Sequence, residues 1–137
     1  MRIREMSRRF WIGFAAASGF VSVAAGAIGA HMLRGHTTSE DLHAFSAAAR
    51  YQMYHALALF AVAWLAGRHT SRKSNPGSRF TALAGWAFVA GTVLFCGSLY
   101  LLGLTGSRAL ASLAPLGGLS FLAGWACLFL AVLRGDP

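Results

Sequence analysis

Four stretches of this 137-residue chain, 11–30, 51–67, 80–104 and 110–133, hold 86 residues and not one Asp, Glu, Lys or Arg. A helix that faces water on one side needs charged or polar residues there, so these cannot be the surface helices of a soluble domain. All sixteen charges lie in the remaining 51 residues. The same segregation excludes a disordered chain and a disulfide-stapled secreted domain. What remains is a polytopic membrane protein.

A bilayer core about 30 Å thick, crossed at 1.5 Å per residue, takes about 20 helical residues. The segment 11–31 has that length, with Ser18 and Ser22 among its few polar residues. The stretch 50–67 is short by itself, but Thr37-Thr38-Ser39-Glu40 has the form of a capping box, which predicts a helix from about 38 through 66. In its first half Leu42, Phe45 and Ala49 make an apolar stripe with Glu40, Asp41 and His43 facing elsewhere. That pattern predicts an interfacial amphipathic segment leading into a second span. The third span, 80–104, is long enough to require tilt. In the fourth, 113–133, Pro115 is placed where a first helical turn tolerates it. The expectation is a single all-α domain, a transmembrane bundle of four helices with an amphipathic segment between helices 1 and 2.

Orientation follows from the Lys/Arg count. Nine fall on the side of the N-terminal tail, the loop 68–79 and Arg134, and three, Arg34, Arg50 and Arg108, on the other. The excess predicts that both termini face the cytoplasm. Small residues before His31 resemble a signal-peptide cleavage site, yet the apolar run exceeds a usual signal core, so the first helix is expected to be retained. The stretch 71–78, rich in Ser, Pro and Gly, separates two hairpins. Leu83-Ala84-Gly85-Trp86-Ala87 recurs as Leu122-Ala123-Gly124-Trp125-Ala126, a faint internal echo.

Small residues permit close helix approach in lipid. Ser18, Ser22, Gly26 and Ala30 recur every fourth residue, and Ala87, Gly91, Gly97 and Gly103 follow in the third span. These rows fit contacts inside one bundle, or alternatively the seam of a homo-oligomer. Trp11, Trp64 and Trp86 fall at the cytoplasmic ends of their spans, as interfacial anchors do. The basic excess, twelve Lys/Arg against four Asp/Glu, flanks apolar spans rather than lining one face, so it does not describe a nucleic-acid binder. Cys96 and Cys127 lie in apolar text without metal spacing and read as buried thiols.

The remaining polar groups gather at the outer ends of the spans. The candidate ligand-binding set is His31, Arg50, Tyr51, Tyr54, His55 and Tyr100. His55 lies about 7 Å along the helix below Arg50, inside the hydrocarbon layer, where an ionisable group is a functional hypothesis by default. The structural reading is a neutral His55 bonded to Tyr51 or to a neighbouring helix. The functional reading is an outward-opening pocket for an anionic or quinone-like headgroup, or a proton relay. Ligation of haem or a metal by His31 and His55 is a third. No protease, hydrolase or phosphate-loop signature occurs, and the spans hold no carboxylate, so a non-enzymatic protein is expected.

At Gly26-Ala27-Ile28-Gly29-Ala30-His31, Arg50-Tyr51-Gln52-Met53-Tyr54-His55-Ala56-Leu57-Ala58, Leu94-Phe95-Cys96-Gly97-Ser98-Leu99-Tyr100 and Ala114-Pro115-Leu116-Gly117-Gly118, the chain resembles the YgdD/YwdK-type small multi-pass proteins of bacterial inner membranes. The resemblance covers residues 10–133 and implies an integral membrane protein of about four helices with no established activity. Its characteristic residues fall on the polar cluster reached above, with Gln52 and Ser98 added. The expected protein is therefore an accessory or scaffold subunit, or a small-ligand binder, of the bacterial cytoplasmic membrane. The alternatives are a transporter or channel component and a quinone- or haem-associated redox subunit. The expected partners are the lipid bilayer and further copies or subunits, and no nucleic acid; the sequence specifies no cofactor.

Overall fold

The computed structural model describes residues 2–68 and 76–134. Among them every regular element is helical: α1 (Arg2–Ile28), α2 (Ser39–Arg68), α3 (Pro76–Gly91), α4 (Gly97–Thr105) and α5 (Ala114–Arg134). The π turn Thr92–Cys96 joins α3 to α4 in one rod, and a second π turn, Gly29–Leu33, ends α1. Gly106 stops α4: its φ of +67° is open to glycine at little cost, and its N–H bonds Leu102 O at 2.8 Å. Pro115 sits in the first turn of α5, where it removes no helical hydrogen bond. The connector expected at 71–78 lies, through Asn75, outside the described residues.

Neighbouring helices run antiparallel. Ser22 Oγ on α1 donates to Ala49 O on α2 at 2.7 Å, and Arg8 lies beside Gly67 at the far end of the same pair. Ser120 Oγ on α5 donates to Ala87 O on α3 at 2.8 Å. Across the middle, α2 meets the α3–α4 rod through His55 and Phe88, Tyr51 and Phe95, and Phe45 and Tyr100. The order is up-down-up-down. The first turns of α1 and α3 and the last turns of α2 and α5 share one end, where Phe10 meets Trp86 at 5.4 Å and Arg134 lies 5.3 Å over Phe80.

Aromatic rings seated on glycines hold the bundle together. Phe88 rests on Gly124, Phe121 on Gly91, Trp11 on Gly85, and Phe45 on Gly103 and Gly29. A Cβ built on Gly124 would lie 2.5 Å from the Phe88 ring, and one on Gly85 would lie 2.8 Å from Trp11. At Gly117 the neighbour is the backbone of Phe95 itself. In lipid, where burial of apolar surface drives little association, this close contact supplies the attraction.

Several expectations change here. Among the described residues three helical stretches, Arg8–Leu33, Gly77–Thr105 and Ala111–Arg134, are long and apolar enough to cross a membrane, not four. The helix α2 does not qualify, because its 30 residues include Glu40, Asp41, Arg50, Gln52 and His55. It packs against α1, α3 and α4, and its buried stripe is built of alanines with polar groups among them. A helix facing protein can carry such groups where one facing lipid cannot. The amphipathic segment forms the opening turns of α2, as the helix expected over about 38–66 implies, but it packs on α1 and α4 rather than at an interface. Its cap is Thr38, whose Oγ1 accepts from Asp41 N at 3.1 Å, so the box sits one residue later than Thr37-to-Glu40 spacing suggests. Asp41, expected to face outward, is buried.

The four-residue row on α1 also breaks. Ser18 and Ser22 are buried, while Gly26 and Ala30 are exposed. At 3.6 residues per turn each four-residue step drifts about 40° around the helix, so the row leaves the contact face. The residues that stay on it are Ala15, Ser18, Ser22, Ala25 and Gly29. Trp11 is buried at the seat on Gly85 rather than anchored in the interface, in contrast to exposed Trp64 and Trp86.

Candidate functional site

Residues 52, 55, 59 and 62 of α2 share its buried face, which places His55 inside the bundle with only 4% of its surface exposed. Its Nδ1 lies 2.6 Å from Tyr51 O, one helical turn back, and Trp125 Nε1 lies 3.2 Å from its Nε2. A carbonyl oxygen only accepts and an indole N–H only donates. The partners therefore assign the tautomer: Nδ1–H donates to Tyr51 O, and the bare Nε2 accepts from Trp125. A second proton on His55 would face another donor, so this arrangement holds the ring uncharged. With Nδ1 protonated and the Nε2 lone pair accepting from Trp125, no lone pair is free for a metal or haem iron.

Stacking fixes the imidazole plane. Phe121 lies parallel to it, with centroids 3.5 Å apart and planes at 6°, and Phe88 approaches at 5.5 Å. His55 thus ties α2 to α5 through two kinds of contact, polar at its edge and apolar at its face.

Beside this ring a groove of about 520 Å³ opens between α2 and α5, lined by Tyr51, Tyr54, His55, Phe95, Gly118, Phe121, Leu122 and Trp125. Its lips are exposed: Tyr54 by 54%, Leu122 by 66% and Trp125 by 47%. The volume falls in the range of small-molecule sites. The π turn contributes one wall. Widening of the helix at Thr92–Cys96, where Thr92 Oγ1 bonds back to Phe88 O at 2.9 Å, accompanies the position of Phe95 between Tyr51 and Phe121, at 5.1 and 5.7 Å.

Of the six residues expected at a common site, Tyr51, Tyr54 and His55 line this groove and three do not. His31 is exposed in the π turn that ends α1, and Arg50 is exposed on α2. Tyr100 faces another part of α2: its hydroxyl donates to Gln52 Oε1 at 2.6 Å, and its ring packs on Phe45 at 4.9 Å. Phe95, Gly118, Phe121, Leu122 and Trp125 are groove residues that sequence reasoning missed. Leu122 and Trp125 belong to the Leu-Ala-Gly-Trp-Ala echo, and Phe95 and Gly118 to the motifs that carry the family resemblance, but nothing local connects Trp125 to His55 seventy residues away. Among the described residues no three His, Cys, Asp or Glu side chains are grouped as a metal site would require.

Three helical stretches apolar enough to cross a membrane, packed with a polar-lined fourth helix, and an aromatic groove between two of the four describe an all-helical membrane protein. Its family follows from comparison: the chain belongs to the family described as a protein of unknown function, DUF423, whose model matches residues 25–118. The UPF0382 membrane protein YwdK of Bacillus subtilis (strain 168) is 39% identical over 92% of this chain and 98% of its own length. The UPF0382 inner membrane protein YgdD of Escherichia coli (strain K12) is 41% identical over 94% and 93%. The UPF0382 membrane protein SH2409 of Staphylococcus haemolyticus is 40% identical over 83% and 87%. No solved structure matches the chain. The resemblance read from the sequence motifs is thus established, and with it the bilayer as the protein's environment.

Proposed function

We propose that this is a non-enzymatic protein of the bacterial inner membrane whose α2–α5 groove holds a small, uncharged, lipid-soluble molecule bearing a planar ring. The observation that carries this reading is the character of the lining: five Phe, Tyr or Trp rings and an uncharged His55, with no Asp, Glu, Lys or Arg. An anionic headgroup would need the cations that His31 and Arg50 were expected to supply, and both lie off the groove. The lips are side-facing residues of helices in the bilayer, so the occupant enters laterally from the hydrocarbon. Rings stack on the exposed aromatic faces, and the hydroxyls of Tyr51 and Tyr54 offer donors to a carbonyl-bearing ring such as a quinone.

On this reading His55 is a structural residue that forms the groove by joining α2 to α5. The end carrying Arg8, Arg9, Arg68, Arg79 and Arg134 faces the cytoplasm, a reading supported by the excess of Lys/Arg there.

Titration of decyl-benzoquinone into detergent-solubilised protein, followed by tryptophan emission, tests the reading. Gly118→Leu supplies the comparison. A Cβ at Gly118 meets only Phe95 Cδ2, at 4.0 Å, and Gly118 lines the groove, so the leucine side chain is expected to extend into the groove. Saturable quenching is expected in the parent protein and not in the variant. Identical titrations would refute the proposal.

A further inference from the structure

The end of the bundle opposite Glu40 and Asp41 collects arginines without described counter-charges. Arg8 lies over Gly67, its Nε 3.6 Å from where a Cβ would stand, and Arg68 is the next residue of α2. Gly67 and Arg68 lie about 100° apart around α2, so Arg8 covers the α1–α2 seam and Arg68 flanks it at the same end of the bundle. Arg68 has its guanidinium carbon 4.9 Å from the centre of the Trp64 ring, and across the bundle Arg134 stands 5.3 Å over Phe80. Among the described residues both ion pairs lie at the other end, between Arg108 and Glu40 or Asp41.

Like charges gathered in this way repel one another unless an anion joins them. Arg68 sits over the Trp64 ring and is itself exposed, so its N–H fork is open to an oxyanion, the group a guanidinium suits best. The depth is also set. Trp64 and Trp86 are exposed by 58% and 57% near this end, and tryptophans so placed sit at headgroup level.

We propose that this end of the bundle, at Arg8 on the α1–α2 seam and Arg68 flanking it, binds the phosphate of an anionic phospholipid. A zwitterionic lipid presents the same phosphate together with a cationic group that this end repels, so the site selects by net charge. The site is separate from the α2–α5 groove and does not depend on what the groove holds.

The test is native mass spectrometry of the full chain released from nanodiscs of equimolar phosphatidylcholine and phosphatidylglycerol. Preferential retention of phosphatidylglycerol is expected. Each basic residue at a membrane surface is worth about a fivefold preference, so Arg8→Gln/Arg68→Gln should reduce it about 30-fold. Arg34→Gln, at the opposite end, should leave it unchanged. Raising salt to 1 M should weaken the preference in the unaltered protein, a readout that needs no variant to fold. Millimolar inorganic phosphate should not displace the lipid. Equal retention of both lipids, a preference that survives the double substitution or high salt, or displacement by free phosphate would each overturn the proposal.

Discussion

Replacing Gly117 by alanine should separate α5 from the π turn. A Cβ there meets the backbone N of Phe95 and lies 2.7 Å from its Cβ and 2.8 Å from its Cα. Carbon atoms pack best at about 3.5–4.0 Å, so the helices must part by about 1 Å. A ring could rotate away, but a backbone cannot, which puts the cost at the upper end of overpacking, about 3 kcal/mol. Alanine returns about 1 kcal/mol through its better helix propensity. The net loss is then about 2 kcal/mol, a factor of about 30 in the folding equilibrium. Gly26 is the control: nothing stands within 4 Å of its would-be Cβ, so Gly26→Ala should gain about 1 kcal/mol from propensity alone. Reversible unfolding by sodium dodecyl sulfate in mixed micelles, followed by circular dichroism, measures both. Gly117→Ala equal to or more stable than the parent would show that these glycines are not close-approach positions.

Other substitutions separate the polar contacts. His55→Phe keeps the stack on Phe121 but removes the bond to Tyr51 O and strands Trp125 Nε1–H; a loss of about 1–3 kcal/mol is expected in the same assay, and an unchanged midpoint would argue against the bridge. Tyr100→Phe leaves Gln52 Oε1 without its 2.6 Å partner and should cost about 1 kcal/mol, the scale of interhelical hydrogen bonds in membranes; no measurable change would mean that the pair does not form. Asp41 is buried, its Oδ1 has no hydrogen-bond partner, and Arg108 stands 3.9 Å away. Removing that charge relieves a desolvation cost, so Asp41→Asn should be neutral or stabilising in thermal unfolding, and a marked loss would contradict this placement.

Much of the frame was legible in the sequence because it depends on local quantities. The length of a charge-free run and its flanking arginines decide which segments enter the bilayer, and Pro115 and the Thr38 cap mark helix starts to within a residue. The opening turns of α2 misled because an isolated amphipathic stripe looks the same whether it faces a membrane surface or a neighbouring helix. Its stripe packs on α1 and α4, and Asp41 goes inside with Phe45. Arg50 and Tyr51 differ by one residue but by about 100° around the helix, enough to leave Arg50 outside while Tyr51 enters the groove. The ring-on-glycine seats pair residues 16 to 74 positions apart, such as Phe45 with Gly29 and Trp11 with Gly85. Periodicity shows that a glycine is present and says nothing about which ring will rest on it. For the same reason Trp125 and Phe121 could not be joined to His55 before α5 was packed against α2.

The central claim is that a lipid-soluble ring occupies the groove between α2 and α5. Photolabelling in native membranes with an uncharged, diazirine-bearing benzoquinone, followed by peptide mapping, tests it most directly. Label is predicted on Tyr51 and Tyr54 and on the stretch 118–125, competed by unlabelled quinone and absent in Gly118→Leu. Label spread along the exposed face of α1, at Phe20 and Val23, with no competition, would contradict it.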